Sequence, residues 1–175
     1  MEKTITVFGS SKPVETDEQY KFAYELGLRL GEEGFNVCTG GFYGIMEAVS
    51  KGTVEKGREA IGITVNNWGR KGNKYLTKEI KCKSIFERIE RLIETGDAYV
   101  ILQGGTGTLL ELAAVWEFSN KGLMDHKAIV CHSSMWQGII GIMNIQMKRE
   151  GRSTELVRAF ETVEEIILYL TAKIK

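Results

Sequence analysis

Apolar and polar positions along the chain switch repeatedly between two periods. Short β-rich runs occur at Thr4 to Gly9 (TITVFG), Phe35 to Thr39 (FNVCT), Ala60 to Val65, Ala98 to Leu102 and Ala128 to Cys131, with a weaker one at Leu76 to Lys83. Between them the spacing becomes helical, over about Asp17 to Glu33, Gly44 to Lys56, Ser84 to Thr95, Thr108 to Asn120 and Met135 to Glu150, and a last helix covers Thr162 to Ile174. Residues 66 to 75, NNWGRKGNKY, read as a polar loop. Strands that alternate with helices through short connections predict an α/β fold, a doubly wound parallel sheet with helices on both faces. No linker or internal repeat interrupts the alternation, so residues 1–175 are expected to form a single domain.

In such a sheet, ligands bind outside the carboxyl ends of the strands. Three Gly- or Ser-rich segments follow strands here and are expected to share that edge: GSS at 9–11, TGGFYG at 39–44 and QGGTGT at 103–108. Gly104, Gly105 and Gly107 lack a Cβ, so a ligand can approach their backbone closely. The helix behind them aims free N–H groups and its positive end at the same place, and Thr106 and Thr108 add hydroxyls. Together they have the makings of a phosphate cradle, or simply of a tight turn. Gly40, Gly41 and Gly44 repeat the theme, followed by Met46 and Glu47; they either cradle a sugar or base or let their helix start close to the sheet. Neither glycine pair fits GxGxxG, and no acid ends the second strand, which argues against a dinucleotide fold.

Glu111 has two readings. Thr108-x-x-Glu111 is the capping-box pattern, in which the acid serves its own helix. Beside a bound sugar phosphate, the same acid would face the carbon where positive charge develops as a glycosidic bond breaks. In the helix at Ser84 to Thr95, Ile85, Phe86, Ile89, Leu92 and Ile93 form one apolar face. Arg91 projects almost opposite and is expected in solvent; Arg88 lies on the flank, placed either to snorkel or to offer its guanidinium to an anion or acid. Trp136 is expected to cover core, and Trp68 to line a base pocket or a subunit contact.

Composition narrows the classes. Twenty-three basic and twenty-three acidic residues balance, which gives no electrostatic reason to bind nucleic acid or an anionic membrane. Cys38, Cys82 and Cys131 have no CxxC pairing and, with His126 and His132, no metal-ligand spacing. They read as buried free thiols of a reducing compartment. The N-terminal MEKTITVFGSS enters a strand at once, without a signal-peptide pattern, and no uncharged run has the length to span a bilayer. A cytoplasmic protein is expected.

Taken together, the motifs resemble one family. Gly104 to Glu111 (GGTGTLLE) resembles the PGGxGTxxE signature of the Lonely Guy (LOG) proteins, phosphoribohydrolases that release a cytokinin or related base from its nucleoside 5′-monophosphate. Glu87-Arg88, with Arg91 and then Gly96 to Val100, is similar to that family's ERKxxM…SDAFI segment. Gly40 to Met46 is similar to its GGGxxGLMG loop, and Val7 to Ser11 to its opening strand and turn. The resemblance runs in order from residue 4 to about 132. It implies a Rossmann-like domain, Arg88 and Glu111 as catalytic residues, and a phosphate site at Gly104, Gly105, Thr106, Gly107 and Thr108. Further ligand contacts are implied at Ser10, Ser11, Gly40, Gly41, Gly44, Met46 and Glu47. The implied substrate is a nucleoside monophosphate, cleaved to free base and ribose 5-phosphate without metal or cofactor, and the implied assembly is a homodimer. Three positions depart from the pattern: Gln103 replaces Pro, Glu47 replaces Gly and Ile89 replaces Lys. These departures resemble a neighbouring branch that includes molybdenum-cofactor carrier-like proteins. The alternative is therefore a carrier that binds a nucleotide or molybdopterin-type cofactor without cleaving it.

Overall fold

The structure, a computed structural model, describes residues 2–66, 69 and 71–174. Trp68 lies outside the described residues. Along the chain run β1 (Thr4–Phe8), α1 (Glu18–Glu32), β2 (Asn36–Thr39), α2 (Ile45–Glu55), β3 (Ala60–Val65), β4 (Lys78–Cys82) and α3 (Ile85–Thr95). They continue as β5 (Ala98–Ile101), α4 (Thr106–Asn120), β6 (Ile129–His132), α5 (Ser133–Arg149), β7 (Val157–Phe160) and α6 (Val163–Ile174).

The seven strands form one sheet in the order β4-β3-β2-β1-β5-β6-β7, and every pairing is parallel. The chain works outward from β1 to β4, then returns to lay β5 on the other side of β1, with Ile5 opposite Ala98 and Phe8 opposite Ile101. The order therefore reverses between β1 and β5, and the loops leaving these two strands diverge around a crevice. Backbone bonds hold the rims of that crevice, from Leu102 N–H to Phe8 O and from Ser10 N–H to Gln103 O, each 2.9 Å.

The central strands are buried on both faces, as parallel strands between helical layers must be. One core holds Leu26 and Leu30 of α1, Val49 of α2 and Ile166 of α6 against one face of the sheet. The other holds Leu92 of α3, Leu112 of α4 and Trp136 of α5. Trp136 is fully buried and donates its indole N–H to Leu102 O at 2.9 Å, supporting the start of the QGGTGT loop from below. All three cysteines are free and buried; burial pushes the Cys38 thiol up to about 12, which makes it inert.

Three expectations need correction. The strand β7 was not anticipated: Val157–Phe160 is four residues long, includes Arg158, and sits at the sheet edge with pairing on one side only. Phe86 does not join the apolar face of α3. It is 78% exposed, whereas Arg88 is buried with Ile89, Leu92 and Ile93. The buried arc is thus rotated toward Arg88, whose polar groups find partners inside. Finally, Thr108 and Glu111 do not form a capping box. The helix begins two residues earlier, at Thr106, behind Gly105, and no side chain caps it. Extended backbone at Gly105 lets Thr106 and Gly107 join the first turn, leaving Thr108 and Glu111 inside the helix and free to face inward.

Candidate active site

A cleft of about 420 Å³ opens over the β1–β5 reversal, within the range of small-molecule sites. Its walls come from the loop after β1 (Gly9, Ser10, Ser11, Lys12), from Gly40, Phe42 and Met46, from Ile85, Arg88 and Ile89 of α3, and from the start of α4.

Arg88 and Glu111 meet at this cleft. The Arg88 Nη1 group donates to Glu111 Oε1 at 3.0 Å, and its Nε–H donates to Ile63 O at 2.8 Å. The two residues are only 6% and 8% exposed, so a charged pair is held largely out of water. Removing one partner from such a pair leaves an uncompensated buried charge. Gly40 makes room for the arginine: a Cβ there would fall 1.8 Å from Arg88 Nη2. The second carboxylate oxygen, Glu111 Oε2, has no hydrogen bond among the described residues. Burial raises the pKa of Glu111; the charge and hydrogen bond of Arg88 act in the opposite sense without overcoming it.

Gly105, Thr106, Gly107 and Thr108 line the same cleft. A Cβ on Gly105 or Gly107 would meet nothing within 4 Å, so open space lies in front of both. Thr108 is 4% exposed, and its hydroxyl also has no hydrogen-bond partner among the described residues. Gly104 stands behind the wall, where a Cβ would strike Thr108 Oγ1.

Of the remaining sequence candidates, Ser10, Ser11, Gly40 and Met46 line the cleft, whereas Gly41, Gly44 and Glu47 do not. Gly41 and Gly44 take positive φ of 77° and 65°. Gly44 packs on Ser10 O, and the adjacent Ile45 N–H donates to that oxygen at 2.9 Å. Glu47 is half-buried on α2, where its charge adds to burial in raising the hydroxyl pKa of Tyr20. Gln103 turns away as well, donating from Nε2 to Ser134 Oγ at 2.7 Å. Two of the three departures from the LOG pattern therefore lie outside the cleft, and Ile89 is inside it. Sequence reasoning missed Lys12, although it follows the Gly-Ser-Ser turn directly.

Fold and cleft together define a Rossmann-like α/β protein with two glycine loops and a buried Arg–Glu pair at its switch point. The model of the SLOG cluster4 family matches residues 2–167, and the chain belongs to this LOG-like family. A cytokinin riboside 5′-monophosphate phosphoribohydrolase LOG from Oryza sativa subsp. japonica is 34% identical over 104 residues, 58% of this chain and 43% of that protein. An uncharacterized protein from Archaeoglobus fulgidus is 32% identical over 100 residues, 55% of this chain and 64% of its own length. The chain thus spans less than two thirds of each of these relatives. The molybdenum cofactor binding protein from the phototrophic bacterium Rippkaea orientalis has the same fold, with a TM-score of 0.79 at 21% identity over 98% of this chain and 97% of that one. No helix among the described residues is long and apolar enough to cross a membrane.

Proposed function

We propose that this protein hydrolyses the N-glycosidic bond of a nucleoside 5′-monophosphate of the AMP or cytokinin riboside type, giving free base and ribose 5-phosphate. The observation that carries the reading is the buried Arg88–Glu111 pair, whose second carboxylate oxygen lies unpartnered at an open cleft. As the bond from C1′ to the base nitrogen breaks, positive charge builds on the ribose ring, and a fixed carboxylate held out of water stabilises it strongly. Glu111 Oε2 is the atom for that task, or for positioning the water that adds to C1′. Arg88 fixes the orientation of Glu111 through Oε1 and, by its charge, favours the ionised form. The 5′-phosphate would lie against Gly105 to Thr108, where backbone N–H groups of the first turn and the Thr108 hydroxyl lack partners inside the helix.

A homodimer belongs to the same reading. Leu109, Leu110 and Phe118 of α4 and Ile142, Met143 and Ile145 of α5 are exposed on the sheet face that carries both helices. Apolar surface of this kind suits a second copy of the chain.

Glu111→Gln tests the chemistry. Glutamine keeps the shape and an acceptor for Arg88, so the variant is expected to fold and to be stabilised by AMP as the wild type is. Base release, followed by chromatography, should fall by roughly 10²–10³-fold, the usual effect of removing one group that stabilises transition-state charge. Undiminished base release would remove Glu111 from the mechanism. Tight AMP binding by the wild type without turnover on a broad nucleotide panel would make the protein a carrier instead.

A further inference from the structure

The cleft carries an uncompensated charge that the catalytic pair does not explain. Among the described residues that line it, three are charged: Lys12, Arg88 and Glu111. Arg88 and Glu111 neutralise each other at 3.0 Å. Lys12 is exposed and forms no ion pair, so among the described residues its ammonium is the net charge the cleft presents to a ligand.

Its backbone is held as a fixed mount. The Lys12 N–H donates to Ser10 Oγ at 3.1 Å, folding the loop after β1 back on itself. The next residue, Pro13, is the chain's one proline and is buried. Proline restricts the residue before it to extended backbone, which fixes where the Lys12 side chain departs. On the α4 side of the same cleft are the open glycines 105 and 107 and the unpartnered, 4% exposed Thr108 hydroxyl. One wall thus offers neutral donors and the other an exposed cation.

We propose that Lys12 is the anion-recognition residue of this cleft and selects a phosphomonoester over the corresponding uncharged nucleoside. The inference rests on the nucleotide reading above and assigns its charge selectivity to one residue. The ammonium reaches the phosphate from the side opposite the α4 amides. As a compact point charge on a flexible stem it recognises the dianion without dictating the base.

Calorimetric titration of the wild type, Lys12→Met and Lys12→Arg with AMP, ribose 5-phosphate and adenosine tests this. Lys12→Met should bind both phosphorylated probes about tenfold or more weakly, the scale of a lost charge-assisted hydrogen bond, with adenosine affinity unchanged. Lys12→Arg should recover most of the loss, and added salt should weaken AMP binding more in the wild type than in Lys12→Met. Ribose 5-phosphate has no N-glycosidic bond to cleave, so its arm of the test holds whether or not AMP is hydrolysed, and the AMP titrations are made in the Glu111→Gln background. Affinity within twofold of wild type in Lys12→Met, or an equal loss for AMP and adenosine, overturns the proposal and leaves the hydrolytic reading standing. Failure of the wild type to bind either phosphorylated probe overturns both.

Discussion

The two glycine loops at the sheet edge look alike as sequence, TGGFYG after β2 and QGGTGT after β5, yet they use glycine for opposite reasons. In the first, every glycine is crowded by the folded protein. A Cβ on Gly40 would overlap Arg88, one on Gly41 would reach Thr64 Cγ2 at 2.7 Å, and one on Gly44 would reach Ser10 O at 2.5 Å. In the second, Gly104 is crowded by Thr108, but Gly105 and Gly107 face nothing. Packing explains the first set completely. Gly105 and Gly107 line the cleft with open space in front of them, which is the room that the proposed phosphate site requires.

The largest effect should come from filling the crowded loop where only backbone can yield. Gly44→Ala combines a left-handed φ of 65° with contacts of 2.5 to 2.9 Å to the Ser10 and Ser11 backbone. Strain and overpacking together should cost about 4 kcal/mol, seen as a large drop in the denaturant midpoint. A near-wild-type midpoint would show that the two loops differ less than their geometry says.

Arg88 joins the two regions, since it lies against Gly40 and pairs with Glu111. Arg88→Met should cost about 3 kcal/mol at neutral pH, because it strands a buried carboxylate. The sign with pH follows from Glu111. Its folded pKa is already raised by burial, and losing Arg88 raises it further. A raised folded pKa means that the penalty is absent below the unfolded pKa, about 4.3, and grows as pH rises through the folded value. The gap between wild type and Arg88→Met should therefore narrow as pH falls toward 4, in denaturation series at several pH values. A gap independent of pH would mean that the pair does not hold an ionised Glu111.

Much of this was legible in the sequence. Alternating periods were enough to order the elements through α5, and helical spacing placed Arg91 in solvent, where its side chain is 54% exposed and bonds Glu94. The Arg88–Glu111 contact joins two helices across 23 residues and an intervening strand, so no local period reports it; the family resemblance did. The failure of the capping reading at Glu111 is instructive, because the Ser/Thr-x-x-Glu pattern occurs in two other places and caps there. Ser84 Oγ accepts from Glu87 N–H, and Thr162 and Glu165 bond each other's backbone. At 108 and 111 the same letters fall inside the helix, because it starts at Thr106 behind extended backbone at Gly105. The pattern fixes a cap only when the residues before it cannot themselves turn helical.

The smallest effect is the sharpest test of the contrast between the loops. Gly107 lies in the first turn of α4, is exposed, and has no positive φ to protect. Alanine is intrinsically better in a helix than glycine, by up to about 1 kcal/mol in an interior position and less at an end. Gly107→Ala should therefore raise the melting temperature slightly, by the equivalent of about 0.5 kcal/mol, whereas the same methyl at Gly44 should cost about 4 kcal/mol. In the cleft, that methyl would occupy space in front of the α4 amides and should weaken AMP binding severalfold. A variant that is more stable and binds worse marks a glycine kept for a ligand at the expense of the helix. If stability rises while AMP affinity stays at the wild-type level, the room before Gly107 is not where the phosphate lies, and the cradle must be sought nearer Gly105 and Thr108.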